Sequence, residues 1–198
     1  MAGSADERGA EATRLAVETV LRFVNTRADG AGRPERFGDA EGFADWASER
    51  GLLPADALIS EADAASAREL RDAIVVLLLA HADDADVTAA QVAAAERYLR
   101  GASARYPLLT IVTTAGVELI AEDDGPVGVL ASVLAAVTEL AQCGDWGGLK
   151  ACCNPPCHFG FVDRTRNRSA RFCSPGCGSQ VSMRAYRARQ RNQLDNVD

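Results

Sequence analysis

Four cysteines near the carboxyl end of this 198-residue chain constrain its fold more than any other feature of the sequence. Cys152 and Cys157 form one pair with four residues between them, and Cys173 and Cys177 form a second pair with three between them. Fifteen residues separate the two pairs. Four thiolates in two close pairs suit the closed tetrahedral coordination of a structural Zn²⁺ ion. The spacing therefore predicts one zinc ion that orders the last quarter of the chain.

The ligand set has alternatives among neighbouring residues. Cys153 competes with Cys152 for the first position, and His158 is a further candidate, although four available thiolates make it unnecessary. Cys143 lies apart from the pairs, at the end of an apolar run, and is interpreted as a small buried residue. Paired cysteines in a reducing compartment are typical of metal sites rather than disulfides.

The amino-terminal residues and the apolar runs bear on localisation. Residues 1–9 lack a basic segment followed by an apolar one, which a secretory signal would require. The longest apolar run, residues 73–80, is far shorter than a membrane span. We therefore expect a cytoplasmic protein with no membrane partner.

Charge is divided unevenly along the chain, whose net charge is −7. Residues 149–191 contain nine Lys and Arg and a single acidic residue, whereas residues 1–148 contain twelve Arg and twenty-five acidic residues. A locally basic module can dock on phosphates while an acidic body limits non-specific association. The division predicts two domains and favours a nucleic-acid partner for the second.

The first domain is predicted over residues 11–144, after a disordered segment at residues 1–10. Apolar residues at helical spacing predict helices over residues 12–27, 42–50, 60–81, 88–100 and 126–143. Two β-rich runs at residues 108–113 and 117–122, around Thr114-Ala115-Gly116, predict a hairpin. Trp46 is interpreted as a core anchor.

The second domain is predicted over residues 149–191, after a glycine-rich joint at residues 144–148 and before a tail at residues 192–198. A strand, a turn and a return strand are predicted at residues 158–163, 164–168 and 169–172. Ser174 suits a helix N-cap and Pro175 the first helical position, so Cys177 falls in the first turn of a helix that reaches about Arg191.

The predicted order of elements is that of a treble-clef zinc finger: a zinc knuckle, then a hairpin, then a helix that carries the last ligands. The predicted fold class is therefore α+β. It combines a mainly helical first domain, which contains one small antiparallel hairpin, with a carboxyl-terminal treble-clef zinc finger.

Residues 149–191 resemble the CGNR zinc finger that follows the ABATE domain in bacterial stress-induced transcription regulators. The resemblance rests on Leu149-Lys150-x-Cys152-x-Asn154-Pro155-x-Cys157, on Phe161-x-Asp163-x-Thr165-x-Asn167-x-Ser169 and on Phe172-Cys173-Ser174. Over residues 12–143 it rests on the Phe23–Arg27 signature, the order of elements and the direct attachment to the finger.

The resemblance carries three implications. It implies that Cys152 is the first zinc ligand, it favours DNA as the partner of the finger, and it implies that the first domain binds an unidentified small ligand. The Cys-Gly-Asn-Arg of the family is Cys177-Gly178-Ser179-Gln180 in this chain. This chain therefore lacks the Asn and Arg side chains of the family motif.

Basic residues of the finger are the candidate nucleic-acid contacts. Arg184, Arg187 and Arg191 share one face of the predicted helix, and further arginines crowd the predicted turn. Arginine suits phosphate oxygens and guanine edges, and glutamine suits an adenine edge. The candidate set is Arg164, Arg166, Arg168, Gln180, Arg184, Arg187 and Arg191. The alternative is a solvated basic exterior that contacts the acidic first domain or another protein.

Four residues of the first domain are candidates for ligand binding. Asn25 and Arg27 end the first predicted helix, and Arg68 and Arg71 lie near the start of a long one. Each also has a structural interpretation as the donor of a capping hydrogen bond or as a surface charge.

The sequence contains no catalytic constellation. His81 and His158 lie in separate predicted domains, and neither accompanies a Glu at metalloprotease spacing. Four thiolates also leave no coordination position for an activated water. We therefore expect a DNA-binding transcription regulator without enzymatic activity. The alternative is a zinc-stabilised protein-interaction or RNA-binding module, although few aromatic residues in the finger are available for base stacking.

Overall fold

The computed structural model of the protein describes residues 3–54, 56–114 and 116–195. The helices are α1 (Gly3–Val24), α2 (Ala40–Ser48), α3 (Glu61–His81), α4 (Ala89–Arg105), α5 (Pro126–Gln142) and α6 (Pro175–Asp195). The strands are β1 (Leu108–Thr113), β2 (Gly116–Ala121), β3 (Leu149–Ala151) and β4 (Gly160–Val162), which form two antiparallel pairs, β1 with β2 and β3 with β4. The predicted α+β class is confirmed.

Helix α1 begins earlier than the sequence analysis predicted. It starts at Gly3, so residues 3–10, which we predicted to be disordered, are helical, while Met1 and Ala2 lie outside the described residues. Ala5, Glu7, Arg8 and Ala10 favour helix by intrinsic propensity, whereas Gly3 and Gly9 oppose it. Among the residues of α1 whose exposure is described, Ala16 is the first that is buried. The structure thus has a helix over residues 3–10 where the small, polar and charged composition of this stretch predicted disorder.

Four aromatic rings from α1, α2 and the loop between them occupy the centre of the core. Phe23, Phe37, Phe43 and Trp46 are all fully buried, and the centroids of the paired rings lie 5.2–6.3 Å apart. Most pairs are tilted or edge-on, an arrangement that adds about 0.5–1.5 kcal/mol per pair beyond area burial. Trp46 is the core anchor that the sequence predicts.

Helix α3 runs through the core of the first domain and has the predicted bounds. Ser60 is its N-cap and forms a capping box with Asp63, since each side chain accepts a hydrogen bond from the backbone N–H of the other residue. Ile74 and Leu78 on its inner face are fully buried.

Helix α4 runs past its predicted end. We predicted a stop at Gly101, but the helix continues to Arg105. Ala102 is fully buried and Tyr106 nearly so, which holds the last turn against the core. Packing of these two residues outweighs the roughly 1 kcal/mol that a glycine costs inside a helix.

The hairpin of β1 and β2 has nearly the predicted bounds. Leu108 pairs with Ala121 and Thr113 with Gly116, while Ala115 in the turn lies outside the described residues. Helix α5 packs against β2 and ends before Gly144, which has a positive φ of 82° that favours glycine. Cys143 is exposed rather than buried, because it caps this helix on the solvent side.

The carboxyl-terminal segment packs directly onto the first domain. Leu149 and Ala151 of β3 are buried within the same hydrophobic core as α1 and α3. His81 Nδ1 lies 2.9 Å from the Leu149 carbonyl oxygen, and the ring of Trp146 stands edge-on to that imidazole. The glycine-rich joint is thus a packed 3-10 turn, Trp146–Gly148, and the two predicted domains share one core. None of the described helices combines the length and apolar character needed to cross a bilayer.

Candidate metal centre and nucleic-acid interface

The four predicted cysteine ligands converge on one point. The sulfur atoms of Cys152, Cys157, Cys173 and Cys177 all lie within 4.8 Å of one another. Cys157 Sγ is 3.8 Å from Cys173 Sγ, which is 3.7 Å from Cys177 Sγ. A tetrahedral zinc with Zn–S bonds of about 2.3 Å requires sulfur–sulfur separations of roughly 3.8 Å. The cluster therefore fits one zinc ion with four thiolate ligands, and the predicted cofactor is confirmed as one structural Zn²⁺.

Backbone hydrogen bonds shape the first half of the cluster into a knuckle. The Cys157 N–H donates to the Asn154 carbonyl at 2.7 Å, which closes the tight turn of the Asn154-Pro155-Pro156 segment. The Cys152 N–H donates to the Phe159 carbonyl at 3.0 Å, so β3 and β4 pair on either side of the knuckle.

The predicted strand pairing after the knuckle was wrong. We expected residues 158–163 to pair with a return strand at residues 169–172, but β4 pairs with β3 and residues 169–172 form no strand. The reason is a buried ion pair: Lys150 Nζ lies 2.9 Å from Asp163 Oδ2 and also donates to the carbonyls of Arg168 and Ala170. These carbonyls bind an ammonium group instead of the N–H groups of a partner strand.

Asp163 organises the loop that follows β4. Its carboxylate accepts hydrogen bonds from the Thr165 backbone and hydroxyl and from the Ala170 N–H, at 2.7–2.9 Å. Burial alone would raise the pKa of Asp163, but the Lys150 ammonium and these hydrogen bonds outweigh it and hold that pKa well below its usual range. The carboxylate is therefore ionised and fully satisfied at neutral pH.

Helix α6 supplies the last ligand from its first turn. The Ser174 hydroxyl accepts a hydrogen bond from the Cys177 N–H at 3.3 Å, as expected for an N-cap. Burial would raise the pKa of the Cys177 thiol, but hydrogen bonds from Asn154 and Ser174 lower it to about 7. Burial raises the pKa of Cys152 to about 11. The protein alone thus favours a thiolate at Cys177, whereas Cys152 needs the cation to ionise near neutral pH.

The two alternative ligands lie outside the cluster of four sulfurs. Cys153 Sγ points at the Ala82 carbonyl, 3.6 Å away, because its backbone N–H is held by the Arg171 carbonyl. His158 has a positive φ of 41° and a buried Nδ1 atom with no hydrogen-bond partner among the described residues. Burial, followed by the charge of Arg27, lowers the pKa of His158. Cys152, rather than Cys153, belongs to the sulfur cluster.

The predicted nucleic-acid contacts fall into two groups. The side chains of Arg164, Arg166, Arg187 and Arg191 are exposed and make no hydrogen bond or ion pair within the described part of the chain. Arg168 reaches Asp145 at 3.5 Å, and Gln180 and Arg184 both bind the side chain of Asn154. The structure thus sets Gln180 and Arg184 beside the knuckle, where they hold α6 against it, and leaves the others in solvent.

Three of the four predicted ligand-binding residues, Asn25, Arg68 and Arg71, use their side chains in contacts within the protein, whereas Arg27 is contacted at its backbone carbonyl. Asn25 pairs with the backbone of Gly160, accepting from its N–H at 2.7 Å and donating to its carbonyl at 3.1 Å. The Arg27 carbonyl accepts a hydrogen bond from the Arg33 side chain at 2.6 Å, and Arg68 donates to the Phe37 carbonyl.

Arg71 forms the last of these internal contacts. It is 2% exposed and lies 2.5 Å from Glu35 Oε1, and it also donates to the Thr26 hydroxyl at 3.3 Å. Burial would raise the pKa of Glu35, but the hydrogen bond and the charge of Arg71 lower it. Arg71 thus anchors the loop between α1 and α2, and ligand binding by these four residues stays a prediction.

The interface between the first domain and the finger contains residues that sequence reasoning missed. Arg33 donates to the Cys157 carbonyl at 2.6 Å, and its guanidinium lies 5.1 Å from the centroid of the Phe159 ring. Arg171 donates to the Asp83 carbonyl at 3.2 Å. Arg33 and Cys157 are 124 residues apart, so no local spacing in the sequence signals the contact.

A helical domain packed against a four-cysteine zinc module defines a class of zinc-finger protein in which the finger is an integral part of the fold. The sequence model of the ABATE family, described as "Putative stress-induced transcription regulator", matches residues 18–144, and the model of the CGNR zinc finger matches residues 149–190. The chain belongs to the ABATE family and carries a CGNR zinc finger. No curated protein matches the chain.

Proposed function

We propose that this protein is a cytoplasmic transcription regulator that binds DNA through its zinc finger and has no enzymatic activity. One observation carries the proposal: a finger with eight arginines and one lysine against a single acid between residues 149 and 191, in a chain that is otherwise strongly acidic. A local basic patch confers DNA affinity because its Lys and Arg side chains contact phosphates and release the counterions bound to them.

The geometry of α6 supports this proposal. The helix spans Pro175–Asp195, and nearly all of its residues after Cys177 are exposed or half-exposed. Arg187 and Arg191 are one turn apart, and their guanidinium groups have no internal partner among the described residues. An exposed helix of this length, held at its first turn by a metal, has the dimensions to lie in a major groove. Arg164 and Arg166 in the preceding loop are then available to phosphates.

A salt titration tests DNA binding. Zinc-loaded protein and a fluorescent duplex are titrated at several salt concentrations, and we expect affinity to fall steeply as salt rises. The double variant Arg187→Glu with Arg191→Glu should lose at least ~10-fold in affinity at low salt. A matched control carries the same charge change on α4, Arg97→Glu with Arg100→Glu, at two exposed arginines far from the finger in sequence. Equal losses in both variants, or no affinity of the native protein at low salt, would contradict the proposal.

A protein-interaction module is the second candidate, and one observation favours it. Met183 and Tyr186 on α6 are 50% and 51% exposed, and such side chains are enriched where proteins dock. If a partner protein binds this helix, Met183→Glu should abolish binding of that partner and leave the DNA affinity unchanged. Competition by RNA in the DNA-binding experiment separates the RNA alternative from both.

We also propose that a small ligand of the first domain acts on the finger through the segment after α1. Two cavities border this segment: one of about 240 Å³ includes Asn25 and Arg36, and the other of about 390 Å³ includes Arg27 and His158. Asn25 itself is bonded to Gly160 of the finger. A ligand that engages Asn25 therefore competes with a finger contact, and the test is whether such a ligand changes the DNA affinity of the native protein and leaves that of Asn25→Ala unchanged.

A further inference from the structure

The hairpin of β1 and β2 has an open edge that nothing described so far covers. The Glu122 N–H donates to the Pro107 carbonyl, which makes residues 107 and 122 a hydrogen-bonded pair at the base of the ladder. Such pairs alternate along antiparallel strands, so the backbone groups of Leu109 and Ile111 face β2. The N–H and C=O groups of Leu108, Thr110 and Val112 therefore face away from β2, and they have no backbone partner among the described residues.

Apolar side chains accompany this open edge. Leu109, Ile111 and Ile120 are 40%, 38% and 43% exposed and lie on the outer face of the hairpin, since Leu109 pairs with Ile120. On the opposite face, Val112 is 73% exposed and pairs with Val117, which is 64% exposed. Strand β1 contains no charged residue, and natural proteins usually protect such an edge with a charge, a proline or a covering element.

We propose that β1 is a dimerisation edge that pairs in antiparallel orientation with β1 of a second copy of this chain. The argument for a second copy is self-complementarity. A twofold axis through Thr110 places Thr110 opposite its own counterpart and Leu108 opposite Val112 of the other copy. This register uses all three outward-facing residues and forms up to about six backbone hydrogen bonds.

The side chains are complementary in the same register. Leu109 of one copy lies directly opposite Ile111 of the other, so four apolar side chains meet at the centre of the outer face. The one charged residue of the two strands, Glu118, pairs with Ile111 on the β2 side, so the two Glu118 residues lie on the two outer strands, three strand spacings or about 14 Å apart. No like charges face each other across the new edge. Val112 gains Leu108 of the partner copy as a neighbour.

The dimer is a four-stranded sheet in the order β2, β1, β1, β2. A twofold axis perpendicular to the sheet keeps α5 of both copies on the same face, where it packs against β2. The same axis relates the two zinc fingers, which is the symmetry that a palindromic DNA site requires. The interface itself is independent of whether the finger binds DNA.

Proline variants on the two edges of the hairpin test the interface. Sedimentation velocity of the full zinc-loaded chain over a range of concentrations should show a dimer for the native protein. Thr110→Pro removes an N–H that faces away from β2, so it spares the hairpin ladder and should raise the dimer dissociation constant by ~10-fold or more. Val117→Pro makes the same change on the outer edge of β2 and should leave the dimer unchanged. A monomeric native protein, or equal behaviour of the two variants, overturns the proposal.

Two further measurements keep the test decisive if a proline disrupts the hairpin. Ile111→Lys puts a charge opposite Leu109 of the partner copy and should give a monomer, whereas Ile120→Lys, at a similarly exposed site one strand away, should retain the dimer. In a Cys143→Ser background, which removes the exposed thiol, Thr110→Cys should form a disulfide-linked dimer and Val117→Cys should not. A dimer that links through Val117→Cys alone overturns the assignment of the edge.

Discussion

At the scale of single residues, the ion pair of Lys150 and Asp163 determines the course of the chain after the knuckle. Both side chains are almost inaccessible, with exposed fractions of 3% and 0%. Removing one member of a buried ion pair leaves an uncompensated charge and destabilises the fold. The intact pair, by contrast, contributes about as much to the free energy of unfolding as apolar residues of the same size would. Its role is therefore to specify one loop conformation by binding the carbonyls of Arg168 and Ala170.

Removing the carboxylate should expose this role. We expect Asp163→Asn to lower the free energy of unfolding by about 3–5 kcal/mol, because the Lys150 ammonium stays buried without its counter-ion. Urea denaturation with zinc present measures the change. The matched control is Asp145→Asn, which breaks the half-exposed contact with Arg168 at 3.5 Å and should cost at most about 1 kcal/mol. Similar losses in the two variants would mean that burial of the pair has no energetic consequence.

Asn25 is a second residue whose role follows from its contacts. Its amide forms two hydrogen bonds with the Gly160 backbone, and a Cβ added at Gly160 would lie 2.6 Å from Val24 Cγ2. The β4 backbone at Gly160 therefore packs directly against side chains of α1, and any larger residue at this position would displace Val24. The sequence signature that ends at Arg27 marks an attachment point for the finger.

Truncation of Asn25 should loosen the finger. Asn25→Ala leaves two backbone groups of Gly160 unpaired, and we expect a loss of about 1–3 kcal/mol in stability together with faster hydrogen exchange at the Gly160 amide. Asn167→Ala, at an exposed asparagine in the loop of the finger, is the control and should change neither quantity. Unchanged exchange at Gly160 in Asn25→Ala would contradict the proposed attachment.

At the scale of elements, helix α6 combines residues with different tasks on one face. Arg184 binds the Asn154 side chain, which also contacts Cys177, so it supports the metal ligands. Arg187 lies one turn further and has no partner in the described part of the chain. Residues that orient metal ligands typically affect metal affinity by about 10–100-fold.

Substitution of the two arginines should therefore have different effects on zinc release and on DNA affinity. We expect Arg184→Ala to release zinc to a chromogenic chelator at least ~10-fold faster than the native protein. Arg187→Ala should release zinc at the native rate and lose DNA affinity only. Equal zinc release by the two variants would show that the contact with Asn154 does not support the ligands.

The elements also show how far sequence reasoning reaches. Helix α3 was predicted correctly because Ser60 and the apolar periodicity are local signals. The metal cluster was predicted correctly because the two cysteines of each pair are close together in the sequence, Cys152 with Cys157 and Cys173 with Cys177. The return strand at residues 169–172 was wrong because Lys150 binds the Ala170 carbonyl from 20 residues away. The contacts of Arg33 were missed because they too join residues far apart in the sequence. Long-range side-chain to backbone contacts leave no periodic pattern.

At the scale of the whole molecule, the finger and the first domain share one core. Leu149 and Ala151 lie on the same chain segment as Cys152 and are buried against the first domain. The metal that orders the knuckle therefore also holds β3 against α3. A finger on a flexible linker would instead lose its metal without any effect on the rest of the protein.

Zinc removal should consequently destabilise the entire protein. We expect chelation to lower the melting temperature of the helical domain by ~10 °C or more, because a ligand that binds only the folded state stabilises whatever folds with it. Far-UV circular dichroism follows all helices, of which α1 to α5 belong to the first domain and α6 to the finger. Tryptophan fluorescence follows the core in Trp146→Phe, which retains Trp46, and the joint in Trp46→Phe, which retains Trp146. Readdition of Zn²⁺, but not Mg²⁺, should restore both signals, since Mg²⁺ disfavours thiolate ligands. If the helices of the first domain melt at the same temperature with and without zinc, the shared core carries no coupling between metal and fold.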